Sequence, residues 1–213
     1  MSATKVIIVE DEPLFRQLLH SQLDSNPDVQ VVGEAATGEE AILLADDLHP
    51  EVMLMDIELG DGITGIEAGY TIKDKYPETG IVLLSNHKAK QFIVTSGGWS
   101  YLIKRNVRDI ESVVRAIRGA AWGMLVVDPM VTEVLRPKAD TPLSSLQPEH
   151  LKVLELIAQG YSDAAIAKEL IIDEGQVRSR LAGIVKSLGL QLGDEVDPRV
   201  SVVRVYLEQT GGI

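Results

Sequence analysis

The chain has 213 residues, 45% of them apolar and 24% charged, with a formal net charge of −12. It contains no cysteine, which excludes disulfides, thiolate metal sites and cysteine nucleophiles, and its acidity argues against a protein that coats nucleic acid regardless of sequence. The apolar run near the start, Val6 to Val9, is too short for a signal-peptide core or a membrane span, so the expectation is a cytoplasmic protein with no membrane partner.

Taken in chain order, the first half alternates two periodicities. Apolar runs at Val6–Val9, Val29–Val32, Val52–Met55, Ile81–Leu84 and Tyr101–Ile103 lack polar alternation, as strands buried on both faces of a parallel sheet do. Between them lie helix-length segments with apolar residues at helical spacing: Leu14, Leu18 with Phe15, Leu19; then Ala41, Leu44, Ala45, Leu48; and finally Ile110, Val113, Val114, Ile117. Pro13 suits a first helical turn, and Pro50 and Pro77 stop helices before the next strand. The order predicts a doubly wound α/β domain with a five-stranded parallel sheet over residues 1–125.

Residues 124–142 change character, and 126–142 are expected to be a linker. MLVVDPMVTEVLR has room for a short helix, but RPKADTPLSS is polar with two prolines and reads as a linker. From 143 to 213 the pattern is all helical. Pro148 opens a helix with Leu151, Leu154, Ile157 and Ala158 on one face, and Gly160 closes it. Ser162 caps the next, and Asp173 caps a third that carries Val177, Leu181, Ile184, Val185 and Leu188 inward. Two short helices joined by a tight turn make a helix-turn-helix. A last helix, about 198–209, has an apolar stripe of Val202, Val203 and Tyr206. Acids outnumber bases here too, so DNA binding has to come from a local basic face.

In an open parallel sheet, ligands bind beyond the carboxyl ends of the strands. Those ends carry Glu10, Asp11 and Glu12 after the first run, Asp56 after the third, Ser85 after the fourth and Lys104 after the fifth. Converging carboxylates repel unless a cation binds, and all-oxygen ligation points to Mg2+ or a similar hard ion. Asp56 is then placed to attack a phosphoryl donor, with Lys104 and Ser85 to hold the oxygens it receives.

The runs VIIVEDEPLFRQLL, VMLMDIELGDGITGIEA, IVLLSNH and GGWSYLIKR resemble a receiver domain of the NarL/FixJ type of two-component response regulator. The resemblance implies Asp56 as phospho-acceptor, with Asp11 binding the metal directly, Glu10 through water and Glu58 through its backbone carbonyl. It also implies Ser85 and Tyr101 as the switch pair, with Glu58 and His87 flanking the phosphate. The loop after Asp56 departs from the pattern. Gly60 and Thr64 stand where a proline and a glycine are usual, and Gly65 comes one position late.

Likewise VLELIAQGYSDAAIAKEL and VRSRLAGIVKSLGL resemble a LuxR-type DNA-binding domain. This makes 174–188 the recognition helix, with Arg178, Ser179 and Ala182 toward base edges and Arg180 and Lys186 toward phosphates. The expected partners are a sensor histidine kinase, double-stranded DNA with paired half-sites, and a second copy of the chain once phosphorylated. The expected function is phosphorylation-controlled transcription regulation, with no catalysis beyond phosphotransfer to its own Asp56. The residues alone leave open a regulator switched without phosphate, an aspartyl phosphatase, and an adaptor whose helix-turn-helix no longer binds DNA.

Overall fold

The computed structural model describes residues 3–86, 99–107, 110–133, 135–193 and 196–211. The chain divides into two compact units, the division falling between Gly123 and Met124.

The first unit runs β1 (Thr4–Val9), α1 (Pro13–Asp24), β2 (Val29–Ala35), α2 (Gly38–Leu48), β3 (Val52–Asp56), α3 (Gly65–Lys75), β4 (Gly80–Ser85), β5 (Ser100–Ile103) and α4 (Ile110–Ala121). Its five strands form a parallel sheet in the order β2-β1-β3-β4-β5. Val6 to Val9, Val52 to Met55 and Ile81 to Leu84 are buried throughout, because helices cover both faces and leave no side of these strands for polar residues. Helix α4 buries Val113, Val114 and Ile117, as its spacing predicts, and Ala116 and Ala120 besides, while Ile110 is half-buried. In α1 only part of the expected apolar face is used. Leu19 and Leu23 are buried, while Leu14 and Leu18 point to solvent.

The second unit holds α5 (Pro129–Thr132), β6 (Arg136–Pro137), α6 (Pro148–Ala158), α7 (Asp163–Leu170), α8 (Glu174–Ser187), α9 (Pro198–Gln209) and β7 (Thr210–Gly211). Residues 126–142, read from composition as a linker, instead pack into this unit. Val126, Val127, Val131 and Leu135 are buried, and Asp128 caps α5 through the amide of Met130. The amide of Val127 donates to the carbonyl of Ala158 at 2.7 Å. Strand β6 pairs antiparallel with β7, and the amide of Lys138 reaches the carbonyl of Gln209 at 2.8 Å. Apart from the local cap at Met130, these partners come from α6 and from the end of the unit, well beyond the segment itself, which is why local composition does not reveal them.

Helices α7 and α8 form the helix-turn-helix. Ser162 caps α7 by accepting from the amide of Ala165. Asp173 and Gln176 form a reciprocal capping box at the start of α8, which satisfies two otherwise orphaned donors. Gly183, unfavourable in a helix interior by about 1 kcal/mol relative to alanine, has a packing reason. A Cβ there would press on the His150 ring at 3.1 Å, so the glycine lets α8 lie close to α6. Among the described residues, no helix is long and apolar enough to cross a membrane.

Candidate functional site

Sheet register brings the predicted pocket residues to one edge. Val9 is the partner of Met55, so Glu10 and Asp56 follow at the same level on β1 and β3. Asp56 is level with Leu84, and Ser85 with Ile103, which places Ser85 and Lys104 one step further along the same carboxyl edge. Glu10 is fully buried, Asp56 is 3% exposed and Ser85 5%.

Lys104 joins the acids. Its ammonium lies 2.5 Å from Asp56 Oδ2 and 2.8 Å from each oxygen of Glu10, with hydrogen-bond geometry at Oε1. The Phe15 ring packs 5.1 Å from the same nitrogen, a cation–π contact that favours the charged form. Asp56 Oδ1 accepts from the amide of Glu58 at 3.2 Å, and Glu10 Oε1 accepts from the amide of Glu12 at 3.3 Å.

Burial sets the titration of the group. It pushes Glu10 up to about 7, against the pull of the Lys104 hydrogen bond and with a further push from the charge on Asp56. Burial also raises Asp56, with Lys104 opposing it. For Lys104, burial works against the cation, but its bonds to Asp56 and Glu10 outweigh that and raise its pKa. One lysine is thus shared between two carboxylates that desolvation disfavours as anions.

The donor set fits a hard divalent cation. Glu10, Asp11 and Asp56 each offer a carboxylate oxygen within 4.8 Å of the others. Glu10 Oε2 is buried and has no hydrogen-bond partner among the described residues, although the lysine charge is near. An all-oxygen cluster with an unsatisfied acceptor and one solvent-facing acid, Asp11, has the chemistry Mg2+ prefers.

The altered loop does not disturb this edge. Thr64 forms a capping box with Glu67 at the start of α3. Gly65 lies so close to β3 that a Cβ would sit 1.9 Å from the carbonyl oxygen of Asp56, and its amide donates to the carbonyl of Ile57 at 3.0 Å. The obligatory glycine is therefore residue 65. Gly60 and Gly62 take up the extra length with φ of +64° and +119°, conformations that glycine adopts without steric cost. Glu58 is exposed. Tyr101 is fully buried at the head of β5. His87 lies outside the described residues.

Sequence reasoning missed Arg16. Its Nη1 donates to the carbonyl of Glu10, and its Nε pairs with Glu34 at 3.2 Å, which ties the acid-bearing loop to β2. Its position one turn into α1, three residues after Pro13, was the available signal.

On α8, Arg178, Ser179, Ala182 and Lys186 are exposed and Arg180 is half-buried. Val177, Ile184 and Leu188 face the core, so the predicted outward residues share a surface opposite the packed one. Arg178 does not stand alone there. Glu174 and Asp163 lie 3.5 and 3.8 Å from its Nη1.

Comparison with known proteins agrees with this architecture. Residues 6–118 match the response regulator receiver domain. The chain is 29% identical over 211 residues to the nitrate/nitrite response regulator NarL of Escherichia coli, covering 94% of this chain and 96% of that one. It is 32% identical over 195 residues to the response regulator VraR of Staphylococcus epidermidis, covering 89% and 92%. A LuxR-family two-component response regulator from an Aurantimonas species aligns with TM-score 0.57 at 27% identity, over 62% of this chain and 94% of its own. The RcsB response regulator of Salmonella typhimurium shares the fold across both units, with TM-score 0.56 at 21% identity over 96% of this chain and 98% of its own. The chain belongs to the response regulator family, as a member of the NarL/FixJ type with a receiver domain followed by a helix-turn-helix unit.

Proposed function

We propose that the chain is a phosphorylation-controlled, DNA-binding transcription regulator of a two-component system, acting in the cytoplasm, with Asp56 as the phospho-acceptor. The observation that carries this reading is the shared edge of Glu10, Asp56 and Lys104, with the Asp56 carboxylate held between a backbone amide and an ammonium group. A sensor histidine kinase is the donor. An Asp56 oxygen attacks the phosphorus, the new O–P bond forms as the P–N bond to the donor histidine breaks, and the histidine, protonated on its other ring nitrogen, leaves as a neutral imidazole. Asp11, Glu10, Asp56 and the backbone carbonyl of Glu58 would hold Mg2+, which when bound offsets the charge gathered on the phosphoryl oxygens. Lys104 passes from the Asp56 carboxylate to a phosphoryl oxygen, and Ser85 donates its hydroxyl to another. Tyr101 and Ser85 form the switch pair.

The output is DNA binding by α8. Arg178, Ser179 and Ala182 read base edges, while Arg180 and Lys186 meet phosphates. Few basic residues are available, so binding needs a homodimer on paired half-sites. The NarL and VraR relatives are response regulators by name, and one RcsB neighbour is described as bound to DNA. The test is DNA affinity and oligomeric state measured with and without acetyl phosphate. Tighter binding with dimer formation, both lost in Asp56→Asn, is the expected result. Unchanged affinity and mass in fully phosphorylated protein would overturn the reading.

A further inference from the structure

The two acids around Arg178 are placed to compete with DNA. Asp163, the first residue of α7, divides its carboxylate between two arginines. Oδ1 lies 2.6 Å from Arg199 Nη1, and Oδ2 lies 3.8 Å from Arg178 Nη1. Glu174, one turn before Arg178 on α8, comes within 3.5 Å of the same nitrogen. Arg199 is further anchored on the carbonyl of Tyr161 and is mostly buried, so it stays with Asp163. Arg178 is mostly exposed and is the partner free to leave.

We propose that Asp163 and Glu174 act as an internal competitor for DNA and so are specificity-determining residues of α8. This rests on reading α8 as the DNA-contacting helix. Arg178 exchanges two carboxylates for a nucleic-acid partner. An exposed ion pair is weak in water, so the exchange is open to a strong, geometrically matched acceptor such as the paired O6 and N7 of guanine. A single phosphate in random sequence offers little more than the carboxylates it replaces. Both acids also lie within a Debye length of the contact and repel the backbone. The combined effect lowers affinity for arbitrary DNA more than for a matched site.

The experiment uses the full chain and a fluorescent mixed-sequence duplex, with anisotropy read across a salt series. Glu174→Gln is expected to tighten binding roughly two- to five-fold at low salt and to steepen the salt dependence by up to about 0.9 in log–log slope. Asp163→Asn, which keeps an acceptor for Arg199, is expected to shift affinity in the same direction. The deciding comparison is the Arg178→Ala background, where Glu174→Gln is expected to keep only the smaller gain that comes from relieving repulsion of the backbone. An equal gain in both backgrounds would mean simple repulsion and overturn the competition. No gain in the wild-type background would overturn it too. If Arg178→Ala alone leaves affinity unchanged, the assignment of Arg178 to DNA fails first, and the competitor falls with it.

Discussion

The two units handle charge in opposite ways. The first buries the charges of its candidate site: Glu10, Asp56 and Lys104 are almost sealed from solvent, and two carboxylates share one ammonium group. The second exposes them, with Arg178 in loose contact with two acids at the surface. Buried charges shift one another's pKa, resist salt and fail sharply when one partner is removed. Exposed charges are screened and adjustable, and they contribute in small steps. A site that must hold one reactive carboxylate in position suits the first regime. A surface that must let go of one DNA sequence and take up another suits the second.

The contrast breaks most visibly at Gly65. Gly65→Ala drives a methyl group into the Asp56 carbonyl. We expect a loss of about 3 kcal/mol or more of receiver stability, measured by urea unfolding, together with loss of phosphorylation.

Close behind is Lys104→Ala, which leaves Glu10 and Asp56 buried without their cation. In metal-free protein above pH 7 this costs about 3 kcal/mol, and Mg2+ restores part of the loss. A change under 1 kcal/mol would mean the carboxylates are better solvated than their burial indicates.

The pH profile sharpens the same point. Glu10 titrates at about 7 in the folded chain against 4.5 as its ordinary value. Between those values the native state binds the extra proton, so its contribution makes metal-free stability fall as pH rises from about 4.5 to about 7. The slope should diminish in Glu10→Gln and in saturating Mg2+. A contribution that rises with pH would contradict the burial argument.

The smallest effect belongs to the second unit. Tyr206 is buried, and its hydroxyl has no hydrogen-bond partner among the described residues. Burial, with the nearby Glu155 charge, raises its pKa. Tyr206→Phe removes an unsatisfied polar atom and should stabilise the chain by about 1 kcal/mol. Destabilisation would reveal a partner for that hydroxyl.

Much of this was legible in the sequence, for identifiable reasons. Strands covered on both faces leave continuous apolar runs, so β1, β3 and β4 announce themselves and fix which residues stand at their ends. Ser162 and Asp173 are capping residues at the starts of α7 and α8, and both cap as predicted. What could not be read depends on distant partners. The stretch after Val126 looks like a linker because the groups that satisfy it, Ala158, Gln209 and Thr210, come late in the chain. The exposure of Leu14 and Leu18 was equally hidden, since helical spacing defines a stripe but not which of two adjacent stripes the sheet covers. Arg178 lies on the exposed face of α8. Glu174, one turn earlier on the same helix, stands at readable spacing, whereas Asp163 comes from the start of the preceding helix and only the packing of α7 against α8 brings it near.

The central claim is that Asp56 takes up a phosphoryl group in a Mg2+-dependent step. Intact-mass measurement after incubation with acetyl phosphate tests it directly. The account predicts one added phosphoryl group in the presence of Mg2+, none after chelation and none in Asp56→Asn. Labelling that persists in Asp56→Asn, or an unlabelled wild-type protein with Mg2+ bound, would contradict it.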